Sequence, residues 1–151
     1  MTSYCFDTGI FVTPLLKNQS DEIIARCLAW QERAMRGEIQ AVTSFLAWDE
    51  VTWVAGKPAK GVPFNRVRAA EAGQLFLSFP NLRFIPVDDG VIATAQRLLR
   101  ASGHRSRDCI HASTALRHAS GNLITIDADF SNLPIAGMNV VDLSKPGGPP
   151  L

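Results

Sequence analysis

A chain of 151 residues is long enough for one ordinary domain with a sizeable core, and a composition 46% hydrophobic and 19% charged excludes a disordered segment. A formal net charge of +1 excludes the global basic field of a histone-like binder, so any contact with nucleic acid has to come from local patches. The three cysteines, Cys5, Cys27 and Cys109, lack metal-finger spacing and read as buried, reduced thiols of a cytoplasmic protein, while no leader-like stretch and no apolar run of bilayer length is present.

In chain order, Ser3 to Phe6 reads as a short strand ending on Asp7. After Thr8 and Gly9, two readings stay open: a helix that opens at Ile10 with Pro14 inside its first turns, or a shorter helix capped by Thr13 with Pro14 at its first position. Ile23, Ile24, Cys27, Leu28, Gln31, Ala34 and Met35 keep helical spacing, which predicts a helix over Asp21 to Arg36, capped by Ser20 and closed by Gly37. Glu38 to Thr43 reads as a strand, and Phe45 to Ala55 as a helix started by Ser44. Lys57 to Arg68, with Pro58, Gly61 and Pro63, reads as a loop, and a helix follows from about Asn65 to Phe79.

Leu82 to Val87 is a strand interrupted late by Pro86. Asp88 or Asp89 caps a helix over Val91 to Leu99, which Gly103 stops. After the basic turn His104 to Arg107, Ser106 is the expected cap of a helix over Arg107 to Ala119. Leu123 to Ile126 is an apolar strand and Met138 to Leu143 the last strand. Strands alternating with helices predict an α/β fold in three layers, a short, mainly parallel central sheet with helices on both faces. Residues 1–144 form the expected single domain and 145–151, rich in Pro and Gly, a flexible tail.

Acids beside apolar sequence carry the functional expectation, because a carboxylate there is costly unless something compensates it. Asp7 ends the first strand, and Asp127 and Asp129 follow a later one. Parallel strands present their carboxyl ends on one edge, which places Asp7 and Asp127 together. Asp108 lies in the first turn of a helix whose next residues, Ala112, Ser113 and Ala115, are small enough for close approach to the sheet. Glu50 shares a helix face with Leu46, Trp53 and Val54, so it is expected to point inward. Converging carboxylates repel one another, and Mg²⁺ or Mn²⁺ held by hard oxygen ligands is the fitting neutraliser. His104, His111 and His118 pair with no cysteine and read as surface or core residues.

Four motifs in order, Phe6-Asp7-Thr8, Ser44 to Val51 with Glu50, Arg107 to Leu116 with Asp108, and Thr125-Ile126-Asp127-Ala128-Asp129-Phe130, resemble the PIN domain. The resemblance covers about Ser3 to Leu143, and the chain length is similar to that of VapC-type toxins of toxin–antitoxin pairs. It implies a PIN-like three-layer fold and a metal-dependent endoribonuclease in which Asp7, Glu50, Asp108 and Asp127 are the acids of the site. Asp7, Asp108, Asp127 and Asp129 would hold Mg²⁺ or Mn²⁺, with Thr8 and Thr125 supporting them. A shift of one residue would instead make Asp49 the ligand and turn Glu50 to solvent. The resemblance further implies a bound antitoxin and a homodimer.

Two local basic groups, Arg105 with Arg107 and Lys57 with Lys60, Arg66 and Arg68, are candidates to grip RNA phosphates. Trp48, Trp53 and Phe64 exceed what one buried helix face can hide and are candidates to line a groove for a partner. Three other readings compete: a PIN nuclease of RNA processing without an antitoxin, a silent module whose acidic pocket docks an arginine, and a phosphatase with an Asp-x-Asp nucleophile. The last fits poorly, because that chemistry places its aspartates after an early strand.

Overall fold

The computed structural model describes residues 1–57 and 59–146, so Pro58 of the expected loop and residues 147–151 of the expected tail lie outside the described residues. The elements are β1 (Ser3–Phe6), α1 (Gly9–Leu16), α2 (Asp21–Met35), β2 (Gln40–Ser44), α3 (Leu46–Gly56), α4 (Arg66–Leu77), β3 (Leu82–Ile85), α5 (Asp89–Ala101), α6 (Ser106–His118), β4 (Asn122–Thr125), α7 (Asp129–Asn132) and β5 (Asn139–Asp142). The strands form one five-stranded sheet in the order β3-β2-β1-β4-β5. All four pairings are parallel, so the expected mainly parallel sheet is wholly so among the described residues.

Alternation along the strands divides the core. Phe6, Ala41 and Ile124 face α1 and α2, where Phe11, Cys27, Trp30 and Ala34 pack with Phe76 of α4. Cys5, Val42, Ile85 and Leu123 face the other way, against Val91 of α5 and Ala112 and Ala115 of α6. Ala112, Ser113, Thr114 and Ala115 are all fully buried, which confirms that small side chains seat α6 close to the sheet.

Several ends follow from local chemistry. Ser20 accepts from the Ile23 N–H at 3.3 Å, Asn65 from Arg68 at 3.0 Å and Asp88 from Val91 at 2.8 Å, each satisfying an otherwise unpaired donor of a first helical turn. The α6 cap differs from expectation: Arg105 holds the cap position and Ser106 is the first helical residue. The Asp108 carboxylate folds back to accept from the Arg105 N–H at 3.3 Å, so an acid inside the first turn, and not the Ser106 hydroxyl, secures the start of the helix. At the other end Gly121 adopts φ 81°, and a Cβ there would come within 2.0 Å of the Gly137 carbonyl oxygen, a close approach only glycine allows.

Pro14 lies inside α1, which decides between the two open readings. Without an N–H, Pro14 leaves the Ile10 carbonyl short of its helical donor. Gln31 of α2 supplies the replacement, its Nε2 donating to that carbonyl at 2.7 Å. Near the C-terminus the Arg26 guanidinium donates to the carbonyls of Leu143 at 3.1 Å and Lys145 at 2.7 Å. No helix among the described residues is long and apolar enough to cross a membrane.

Candidate active site

The chain runs β1 to β2 to β3 in one direction and returns to the other flank of β1 with β4. A crevice forms outside the carboxyl ends at such a reversal, because the connections leave in opposite directions. Phe6 pairs with Ile124 across it, so Asp7 and the Thr125–Asp127 segment emerge side by side.

A chain of hydrogen bonds fixes these acids. Thr125, fully buried at the end of β4, donates from Oγ1 to Asp7 Oδ2 at 2.7 Å and accepts from the Asp127 N–H at 2.9 Å. The Thr8 N–H donates to Asp7 Oδ1 at 2.9 Å. Asp127 in turn accepts from the Asp129 N–H at 2.9 Å, which starts the short helix α7. The Asp129 carboxylate itself is exposed and makes no hydrogen bond or ion pair among the described residues. Phe130 is buried, as expected of an anchor for this turn.

Asp108 joins from α6. Burial raises its pKa; the Arg105 N–H opposes this, and the charges of Asp127 and Asp7 add to the rise, leaving it above the ordinary carboxylate value. Three carboxylates from separate elements therefore share one electrostatic neighbourhood.

Glu50, not Asp49, faces this group. Its Oε1 accepts from Thr8 Oγ1 at 3.0 Å and lies 2.7 Å from His111 Nε2. Asp49 points away and meets Arg107 at 3.7 Å, both side chains being well exposed. The face expected to be apolar is divided, since Trp53 beside Glu50 is 55% exposed. Burial alone would push the Glu50 pKa up, but the His111 hydrogen bond and charge, the Thr8 bond and Arg107 together bring it below the ordinary value.

His111 is the residue that sequence reasoning missed. It is buried one helical turn beyond Asp108, with Nε2 also 3.8 Å from Asp7 Oδ1 and 3.4 Å from Thr8 Oγ1. Burial works against its protonation, yet the Glu50 hydrogen bond and the charges of Asp7, Glu50 and Asp108 raise its pKa above the usual histidine value. The signal was its spacing of three from Asp108, which puts both side chains on one helix face.

The donor set suits a hard divalent cation: these are carboxylate oxygens, and Asp108 Oδ1 and Asp127 Oδ2 enter no hydrogen bond among the described residues. Among the described residues no three His, Cys, Asp or Glu side chains are gathered tightly enough to hold an ion as they stand, so the match is one of donor chemistry and charge. The cysteines are free; burial raises the thiols of Cys5 and Cys109 and brings Cys27 to about 11, which suits inert core residues rather than nucleophiles.

The candidate phosphate-gripping residues Arg105, Arg107, Lys57, Lys60, Arg66 and Arg68 are all exposed. Arg105 and Arg107 sit at the entry to α6 beside Asp108, and Lys57 ends α3 with Nζ 5.6 Å above the Trp53 ring. Trp53 and Phe64 stack at 5.5 Å with an interplanar angle of 22°, and they, like Trp48, remain exposed to roughly half their surface. Phe64 folds back over Gly56, whose absent side chain makes room for the ring.

A wholly parallel three-layer α/β fold with acids at its topological reversal defines the structural class. The PIN domain family model matches residues 4–136, and the chain belongs to that family. No curated protein sequence matches it. Solved structures share the fold. A chain of a toxin–antitoxin complex from Klebsiella pneumoniae is 21% identical with a TM-score of 0.62, over 93% of this chain and 97% of that one. A chain of the VapBC2 complex from Rickettsia felis, bound to a promoter DNA fragment, is 16% identical with a TM-score of 0.61, over 93% and 98%. A chain of VapBC-5 from Mycobacterium tuberculosis, a member of the VapBC family of toxin–antitoxin systems, is 18% identical with a TM-score of 0.55, over 94% and 99%.

Proposed function

We propose that this protein is a metal-dependent endoribonuclease acting in the cytoplasm as the VapC-type toxin of a toxin–antitoxin pair. One observation carries the enzymatic reading: Thr125 bridges Asp7 and the Asp127 backbone where β1 and β4 end side by side, and Asp108 of α6 comes close enough for their charges to raise its pKa. The full-length likeness to chains of toxin–antitoxin complexes supports the biological context.

Asp7, Asp108 and Asp127 would hold Mg²⁺ or Mn²⁺, with Asp129 within reach through rotation of its exposed side chain. The bound ion supplies a lowered pKa for water and stabilisation of charge on phosphate oxygens. Thr125 and Thr8 orient Asp7, and Thr125 also fixes the Asp127 backbone. Glu50 has Oε1 engaged by Thr8 and His111, which leaves Oε2 to accept a hydrogen bond from the attacking water. In hydrolysis the water oxygen bonds to phosphorus, the bridging P–O bond breaks, and the leaving oxygen takes up a proton. Arg105, Arg107, Lys57 and Lys60 would grip phosphates beside the scissile bond.

The exposed Trp53–Phe64 stack, with Trp48, is where an antitoxin helix would lie, and a second copy of the chain would pair elsewhere to form a homodimer. The reading is tested by incubating the purified chain, free of antitoxin, with total RNA and Mg²⁺ or Mn²⁺ and mapping the cut ends. Defined cleavage that EDTA abolishes is expected; RNA left intact at every metal concentration would overturn it.

A further inference from the structure

His104 has no part in the chemistry above, yet it is 5% exposed and touches both segments that carry the late acids. It sits in the turn that enters α6, four residues before Asp108. Its ring stacks on Phe130 of α7, with centroids 4.9 Å apart and planes inclined by 23°. Its Nε2 lies 2.7 Å from the Leu133 carbonyl oxygen at the end of α7. A carbonyl only accepts, so Nε2 carries the proton and donates. Nδ1 is buried with no partner among the described residues.

This imidazole is the one side chain among the described residues whose hydrogen bond joins the 102–118 segment to the 127–133 segment. The surroundings hold the residue in place: the His104 backbone N–H donates to Ser102 Oγ at 3.3 Å, and a Cβ on Gly103 would press on Leu133 at 3.2 Å. Asp108 is tied to the Arg105 N–H immediately after His104, and Asp127 is tied to the Asp129 N–H immediately before Phe130. Each acid is thus one hydrogen bond and one residue from an anchor point of the same ring.

We propose that His104 is a positioning residue that sets the separation of Asp108 and Asp127, by clamping the entry of α6 to the turn after β4 through Phe130 and the Leu133 carbonyl. The proposal rests on the reading that these two acids share a divalent cation. A ring that only filled the core would be replaceable by phenylalanine, which retains the stacking. A clamp would not be, since phenylalanine cannot donate to Leu133.

The test is Mn²⁺ binding to the full chain by calorimetry, without RNA, beside thermal melting. His104→Phe is expected to weaken Mn²⁺ binding by about tenfold, as loss of a group supporting metal ligands does. His104→Gln, whose amide can donate to Leu133, is expected to recover most of that loss. Cys27→Ala, which opens a cavity in the core on the opposite face of the sheet, is the control: a lower melting temperature with unchanged Mn²⁺ affinity is expected. Wild-type affinity in a folded His104→Phe chain would overturn the proposal, as would equal weakening by Cys27→Ala, which marks general loosening. No Mn²⁺ uptake by the wild-type chain would overturn the metal reading itself, and the clamp with it.

Discussion

Glu50 Oε1 and His111 Nε2 meet at 2.7 Å where α3 and α6 face each other across the mouth of the sheet. The contact ties the two helices that bring a carboxylate to the site from outside the strand ends. It also gives the pair a pH signature. The raised His111 pKa means that its stabilisation is complete below the unfolded value of 6.5 and is lost as pH rises through the folded value above it. The lowered Glu50 pKa means that its stabilisation is complete above the unfolded value of 4.5 and is lost as pH falls through the folded value below it. The melting-temperature difference between wild type and His111→Phe, measured in EDTA, is therefore expected to plateau between pH 4.5 and 6.5 and to decline on either side. Its height should correspond to about 2 kcal/mol, since Glu50 keeps partial access to water. A difference that does not vary with pH would contradict the assignment.

Replacing Asp7 or Asp108 by asparagine preserves volume and removes charge. Cleavage of RNA should fall by at least about a hundredfold in each variant, with the cooperative melting transition retained. Asp108→Asn should raise the melting temperature in EDTA, because its carboxylate is destabilised by burial and by Asp127 and Asp7. Undiminished metal-dependent cleavage in both variants would remove these acids from the mechanism.

Thr125→Val is nearly isosteric but leaves Asp7 Oδ2 without its donor and the Asp127 N–H without its acceptor. A stability loss of about 1–3 kcal/mol is expected by denaturant titration. RNA cleavage should fall about tenfold or more, as both acids lose orientation. Thr125→Ser keeps the hydroxyl and should retain most of the activity.

Gln31 and Pro14 should be energetically coupled although their side chains serve different helices. Gln31→Leu strands the Ile10 carbonyl and should cost about 1–2 kcal/mol. In a Pro14→Ala background the restored N–H supplies that carbonyl, so the same change should cost clearly less. Equal costs in a double-mutant cycle would show that Gln31 does not replace the missing helical donor.

Trp53→Ala and Phe64→Ala alter an exposed stack that makes no hydrogen bond to the acids among the described residues. RNA cleavage should stay within about twofold of wild type, whereas affinity for the proposed antitoxin should fall by about 2 kcal/mol, measured by calorimetry. Unchanged affinity in both variants would move the antitoxin site elsewhere.

Much of the fold was legible because its signals are local. Two predicted caps, Ser20 and Asp88 of the two offered, lie where short polar side chains precede helical periodicity. Asp7 and Asp127 were legible as neighbours because parallel strands share a carboxyl edge. The α6 cap was misassigned because the helix begins one residue earlier than expected, at Ser106 itself, and the Asp108 carboxylate secures its start through the Arg105 N–H.

By itself, then, the sequence determined the alternation of short strands and helices, the small-residue face of α6 and the order in which the acids arrive. Tertiary structure decided which of Asp49 and Glu50 faces the crevice, that His111 stands against Glu50, that Gln31 completes α1, and that His104 bridges to Leu133. The physical reason is the same in each case. Adjacent helical residues differ by about 100° in direction, so periodicity names a face, but a polar side chain's role depends on the partner that another element brings within hydrogen-bond reach.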